Sequence, residues 1–204
     1  MSESPRSPRG QGHLLGVEIL STTAALMATV DDAEDLSIRT IADAVGKTVP
    51  AIYQHFADKS TLLTAAAEHA LNTMGAVVDE RVASEIDIDR RLRVRAHAFV
   101  DFATQHPVPY RHLFMARPRS TPHGKPNTIE LMMNSVGFSG MVRDLAEAKA
   151  VGLLIEQDPT DVAVALWTAV HGVASLLISH PELEWPPDLL ERVLDQHAFG
   201  IVPR

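Results

Sequence analysis

The chain has 204 residues, 46% of them hydrophobic, and a formal net charge of −8 at neutral pH. That length accommodates a small N-terminal domain and a larger body, and the absence of Cys excludes disulfides, thiolate metal sites and a cysteine nucleophile. No apolar run of membrane-spanning length is expected and Met1-Ser2-Glu3-Ser4-Pro5-Arg6 lacks a signal-peptide core, so a cytoplasmic protein with no membrane partner is expected.

Residues 1–12, rich in Ser, Pro, Arg and Gly, read as a flexible arm, with a minor-groove contact as the alternative to a plain disordered terminus. A first helix follows, carrying Leu15, Ile19, Leu26 and Val30 on one face, and the acidic run Asp31-Asp32-Ala33-Glu34-Asp35 reads as the loop after it. Residues 1 to 60 hold five Lys/Arg against eight Asp/Glu, many of them in that loop. Arg6, Arg9, Arg39, Lys47 and Lys59 lie outside it, so a local basic strip can still bind phosphate, with strong salt dependence.

Residues 36–63, LSIRTIADAVGKTVPAIYQHFADKSTLL, carry the most informative pattern. Ile38, Ile41, Ala42 and Val45 recur at three- and four-residue spacing, which buries one face of a short helix. Ser37 suits its N-cap, and Gly46 the left-handed conformation that ends it. Thr48 is expected to cap the next helix, with Val49 and Pro50 in its first turn, where proline's missing N–H costs nothing. Ile52 and Phe56 then face inward and leave Ala51, Tyr53, Gln54 and His55 outward. Such a helix-turn-helix lays its second helix in a DNA major groove. Thr48 and the first amides would meet phosphate, Gln54 an adenine edge, Ala51 a thymine methyl, and Tyr53 and His55 phosphate or sugar. Asp58 is the expected cap of the following helix, with Lys59 placed for a phosphate. An ordinary helical hairpin with surface aromatics is the alternative; the full spacing speaks against it.

The segments Leu36-Ser37-Ile38-Arg39-Thr40-Ile41-Ala42, Gly46, Thr48, Ile52-Tyr53-Gln54-His55-Phe56 and Asp58-Lys59 resemble, in order and spacing, the tetracycline-repressor (TetR) family of bacterial regulators. The likeness runs from roughly Leu14 to Leu63. Lys47 departs from it, because the family usually has a small apolar residue there; a lysine either snorkels out of the hairpin core or adds a phosphate contact. The resemblance implies an all-α chain, with a DNA-binding domain over residues 13–58 and a ligand-binding and dimerisation domain over 59–204. It implies a homodimer on palindromic double-stranded DNA, a repressor released by a small-molecule effector of unknown identity, and no cofactor. Ser37, Arg39, Lys47, Thr48, Val49, Pro50, Ala51, Tyr53, Gln54, His55 and Lys59 are then the DNA-binding residues.

Beyond the hairpin there is no strand alternation or internal repeat. The helix opening at Asp58 repeats Leu63, Ala67, Ala70, Met74 and Val77 and is long enough to join the two domains. Helices are predicted over about Asp87–His106, stopped by Pro107; over Tyr110–Arg117, between Pro109 and Pro118; and over Thr128–Glu156, Asp158–His180 and Asp188–Phe199. Pro118–Asn127 reads as a loop, and Arg90, Arg91, Arg93 and Arg95 as a solvated face.

Aromatic and Met residues concentrate in this body. Phe99, Phe102, Phe114, Met132, Met133, Phe138, Trp167 and His171 are assigned to an apolar effector pocket, with ordinary core packing as the alternative for each singly. His171, one turn from Trp167, also reads as a satisfied core histidine. Ala165, Ala169 and Gly172 form a small-residue stripe that, with Val173 and Leu176, is assigned to a close helix crossing between subunits, because a palindrome reader needs two-fold symmetry. A crossing within one chain is the alternative. Trp167-x-x-x-His171-Gly172 also resembles the C-terminal domain of one branch of the family. His97, His106 and His112 lack metal-ligand spacing, so no metal site is expected, and no phosphate loop, Gly-x-Ser-x-Gly elbow or paired-carboxylate pattern points to catalysis. The competing class is an all-helical ligand-binding protein or enzyme whose N-terminal hairpin is only structural.

Overall fold

The computed structural model describes residues 11–115, 128–154 and 158–196. Among these residues the helices are all α, apart from one 3-10 turn at Ala33–Asp35, and turns and short loops join them. In order the helices are α1 (Gln11–Met27), α2 (Ile38–Val45), α3 (Val49–Tyr53), α4 (Lys59–Val82), α5 (Ile88–Gln105), α6 (Pro107–Phe114), α7 (Thr128–Met133), α8 (Val136–Ala150), α9 (Pro159–Ser179) and α10 (Leu189–Gln196). The predicted arm up to residue 10, with Arg6 and Arg9, lies outside the described residues, as do the loop at 118–127 and the predicted helix ends at 155–156 and 197–199. α1 itself opens at Gln11, inside the stretch predicted as arm.

Local chemistry sets most boundaries. Ser37, Asp58, Asp87, Ser135 and Asp158 each accept a backbone N–H in the first turn of the helix they precede, and each such cap is worth about 1 kcal/mol. The predicted helix Thr128–Glu156 is in fact broken. Ser135 caps α8 and Asn72 Oδ1 accepts the Val136 N–H at 2.9 Å, so the chain restarts between Met133 and Val136. α8 then ends at Ala150, before Gly152 with φ 76°. α6 starts at Pro107, three residues earlier than predicted: a proline read as a stop opens a helix equally well, where its missing N–H is no loss.

Two cores share α4. The first gathers Ile19 and Met27 of α1, Ile41, Ala42 and Val45 of α2, Ile52 of α3 and Leu62, Leu63, Ala66 and Ala67 of α4. Phe102, Val108 and Leu113 close it from α5 and α6. The second core is built by α5, α8, α9 and α10 around Leu92, Ala96, Leu145, Leu166 and Val170. Of the predicted α4 stripe, Leu63 and Ala67 are fully buried and Ala70 and Met74 half-buried, but further along the helix Leu71, Gly75, Val78 and Val82 face inward instead and Val77 is 60% exposed. In α1, Thr23 is fully buried, its hydroxyl satisfied by the Ile19 carbonyl at 2.7 Å.

The arginine run on α5 is not a solvated face. Arg95 is 9% exposed and donates to Asp144 Oδ2 and Asp79 Oδ1, both at 2.7 Å. Arg91 donates to Asp144 Oδ1 at 3.0 Å and pairs with Glu147 at 2.8 Å, while Arg143 reaches Asp79 at 2.7 Å. This network ties α4, α5 and α8. Arg93 pairs with Asp89 on its own helix and with Glu191 and Asp195 of α10, which leaves Arg90 as the exposed member. Near the network α4 and α8 cross backbone to backbone, since a Cβ on Gly75 would lie 2.7 Å from the Gly137 nitrogen.

Contrary to the sequence expectation, α9 is long and apolar enough by length and composition to cross a membrane. It packs against α5, α8 and α10, and its hydropathy has two sources: a core-facing side, and an outer side carrying Val164, Ala165 and Leu176.

Candidate nucleic-acid interface and effector cavity

The hairpin is built from local signals. Gly46 adopts φ 68°, ψ 33°, and the Lys47 N–H donates back to the Ala42 carbonyl at 2.9 Å, closing α2. Thr48 occupies the N-cap position of α3, but its side chain makes no capping bond. The Thr48 hydroxyl is therefore left at the surface. Ser37, Arg39, Lys47, Thr48, Pro50, Tyr53 and Gln54 are exposed, and Tyr53 in particular leaves 46% of an aromatic side chain in solvent. Val49, Ala51, His55 and Lys59 are half-buried, so His55 faces outward less than expected, lying beside Gly16 of α1.

Lys59 is not a free cation. Its ammonium donates to the Glu34 carbonyl and pairs with the Glu34 carboxylate at 3.3 Å, so the predicted phosphate ligand is already engaged. Arg111 of α6 donates to the Asp31 carbonyl at 3.0 Å. The acidic loop is thereby pinned from both α4 and α6. Arg39 faces Asp43 at 4.0 Å, a pair so exposed that it adds little.

An apolar cavity lies in the larger body, with about 600 Å³ of space not filled by protein atoms, part of it continuous with solvent. Phe99, Phe114, Met132, Phe138 and Trp167 lie on its wall, as assigned. Three assigned residues do not. Met133 ends α7 just before the helix break and is 40% exposed. Phe102 sits where α5 meets the N-terminal core and packs there, its ring 5.3 Å from that of His106. His171 stands behind the wall: it stacks on Trp167 with centroids 4.9 Å apart, and its Nδ1 shares a 2.7 Å hydrogen bond with the Tyr110 hydroxyl.

Sequence reasoning missed the contribution of α4, whose Leu71, Met74 and Val78 form a readable i, i+3, i+7 stripe. It also missed Arg95, for which a local pattern holds no signal. Among the described residues the Trp167 Nε1–H is buried without a hydrogen-bond partner, an arrangement that costs about 1–3 kcal/mol. An oxygen of a bound molecule would satisfy it.

Phe114 borders both cores and the cavity, with ring contacts to Phe99, Tyr110, Trp167 and His171. Burial lowers the pKa of His171 and also of His112, for which Glu34 and Asp32 act weakly in the opposite sense. Both depressions mean that the unfolded chain binds more protons than the folded one. Their share of stability is intact above the ordinary histidine value, about 6.5, and is lost as pH falls below it. Burial raises the pKa of Glu68, which acts in the opposite direction, beginning nearer the usual carboxylate range. The urea midpoint of unfolding should therefore fall between pH 7 and 5.5, and less so in a His112→Asn, His171→Asn chain. A midpoint flat over that interval in the parent would contradict the burial of both rings.

On α9 the assigned stripe divides. Val173 faces the core, a correction that follows from its place one residue beyond Gly172. Ala165 and Leu176 are exposed, Ala169 and Gly172 partly so. A Cβ on Gly172 would meet nothing within 4 Å, so no close helix crossing occurs there within one chain.

A family model described as "Tetracyclin repressor-like, C-terminal domain" matches residues 92–198, and one described as "Bacterial regulatory proteins, tetR family" matches residues 19–66. No curated protein matches the chain. A protein of unknown function from Rhodococcus sp. RHA1 is 24% identical, with a TM-score of 0.70 over 96% of this chain and 99% of that one. RolR in complex with resorcinol is 16% identical, with a TM-score of 0.68 over 93% of this chain and 87% of that one. The fatty acid degradation regulator FadR from Bacillus halodurans is 14% identical, with a TM-score of 0.66 over 97% of each chain. At these identities the three structures share the fold.

Proposed function

Since the chain belongs to the TetR family of bacterial regulatory proteins, and is thereby a DNA-binding transcriptional regulator, we propose that it is a cytoplasmic repressor that holds palindromic DNA as a homodimer and releases it when a small effector fills the cavity. The observation that carries this reading is the double use of α4. One stretch of it, Leu62 to Ala67, underpins the hairpin, and the next, Leu71 to Val78, lines the cavity. α6 has the same double allegiance through Phe114 on the cavity and Arg111 on the acidic loop. A ligand that binds better to a tilted α4 shifts the spacing of the two reading heads, and a coupling of about 1–3 kcal/mol weakens DNA binding about 5–150-fold. The effector has an apolar, aromatic body and one oxygen for Trp167 Nε1; the resorcinol held by RolR is in keeping with that.

DNA binding is tested by anisotropy on the chain's own upstream region, titrated with salt. Half-sites should lie about one helical turn, ~34–36 Å, or slightly more apart. Tyr53→Ala combined with Lys47→Ala should weaken binding to every sequence and flatten the salt dependence, whereas Gln54→Ala should relax preference at one base by about 1–3 kcal/mol. If the double variant binds as the parent does, the hairpin is not the reader, and a helical ligand-binding protein becomes the better account.

For the homodimer, the support is the outer face of α9, where Val164, Ala165, Gly172 and Leu176 are apolar and uncovered in one chain. Nothing in the single chain opposes a side chain at Gly172. Gly172→Leu should therefore leave the monomer folded while costing the dimer about 1–3 kcal/mol by overpacking. Light scattering reads the outcome, and an undisturbed dimer would place the interface elsewhere.

A further inference from the structure

We propose that Glu68 and the apolar cavity form one two-part site for a cationic amphiphile, in which the Glu68 carboxylate holds an amine or similar organic cation and the cavity takes a flat apolar body. The inference rests on reading the cavity as the effector site and adds the charge of the effector.

A second cavity adjoins the first, and Leu71, Phe114, Met132 and Ser135 belong to the walls of both. Glu68 lines only the second. It shares a face of α4 with Leu71, Asn72 and Gly75, at i, i+3, i+4 and i+7. Gly75, which lines the first cavity, thus lies about 10 Å farther along the helix axis than Glu68, by the rise of 1.5 Å per residue. A bicyclic ring with a short side arm spans this distance.

The chemistry of Glu68 is unlike that of the acids Asp79 and Asp144 of the arginine network. Asp79 and Asp144 are each held by arginines, whereas Glu68 has neither a hydrogen bond nor an ion pair among the described residues. Burial alone raises its carboxyl above the usual range. Among the described residues no free positive charge faces it: Asn72 is committed to the Val136 N–H, Ser135 to the Phe138 N–H, and Arg95, on the wall of the first cavity, is held by Asp79 and Asp144. His112, which bonds Thr64 one turn earlier on α4, has a pKa lowered by its own burial. A carboxylate taken partly out of water and left unpaired favours an incoming cation and opposes an anion. The net charge of −8 draws cations to the surface as well.

The test uses three probes of one shape on the full chain: 2-naphthylmethylamine, 2-naphthylmethanol and 2-naphthoic acid, titrated calorimetrically. The parent should bind the amine about tenfold or more tightly than the alcohol, as befits a charge-assisted bond, and the acid most weakly. Glu68→Gln should keep the affinity for the alcohol and lose the preference for the amine, with an unchanged melting temperature. An amine no tighter than the alcohol in the parent, or a preference that survives Glu68→Gln, overturns the role of Glu68 and leaves the cavity reading standing. Failure of all three probes to bind either chain overturns the cavity reading, and this inference falls with it.

Discussion

Asp144→Ala is expected to cost about 3–5 kcal/mol, a large part of the stability of an ordinary domain. Asp144 is buried and is the one carboxylate that both Arg91 and Arg95 share. Without it Arg95 keeps only Asp79, and Arg91 keeps only Glu147, an acid more than half in solvent. Among the described residues Arg91 Nε is already buried without a partner, so the released guanidinium groups add to an existing deficit of acceptors. The penalty comes from stranding charges rather than from losing attraction. Removing a charge together with its partner should therefore cost less: Arg95→Met, Asp144→Leu should be milder than two independent losses, although Arg91 still forfeits one bond. Urea denaturation measures both. A loss below about 1 kcal/mol for Asp144→Ala would mean that water reaches the network and that it does not hold α4, α5 and α8 together.

Gly75→Ala should be damaging although it adds a single methyl. Its Cβ would stand 2.7 Å from the Gly137 nitrogen and 3.2 Å from the Gly137 Cα, both backbone atoms that no rotamer change can move away. The helices must part, at about 1–3 kcal/mol, against roughly 1 kcal/mol gained from replacing a helical glycine by alanine. For a chain of this size each kcal/mol lost lowers the melting temperature by about 2–4 °C. Gly16→Ala in α1 is the matched control, because its methyl would meet only His55 Nδ1 at 3.7 Å, an ordinary contact, and the helical gain dominates. A Gly75→Ala chain melting at or above the parent would show that α4 and α8 separate freely.

The hairpin was legible because its determinants are neighbours in sequence. Ser37, Gly46 and Asp58 act within three or four residues, so caps, turn and apolar spacing could be read together. The long-range polar contacts were not. Arg95 finds Asp144 across 49 positions and Lys59 finds Glu34 across 25, and no periodicity announces a partner at that range. Between these extremes lie features whose signal was present but ambiguous. Pro107 reads equally as the stop of one helix and the start of the next, and Asn134-Ser135 is a usable cap inside what looked like a continuous helix. Met132 and Met133 differ only by one step around a short helix; the first lies on the cavity wall and the second in solvent. Composition gathered the right kind of side chain there without fixing which way each one points.

The bond between Lys59 and Glu34 bears on how the reading head meets salt. Any phosphate reaching Lys59 must displace a carboxylate already seated on it and leave Glu34 to collect a counterion from solution. Each cation that DNA sheds at that point is partly matched by one that the protein takes up. A lysine in such an exchange adds less than the full unit to the salt dependence expected for a simple phosphate contact. The acidic loop thus works as a resident competitor for nucleic acid, trimming indiscriminate attraction to the backbone and leaving recognition to the residues that face the bases.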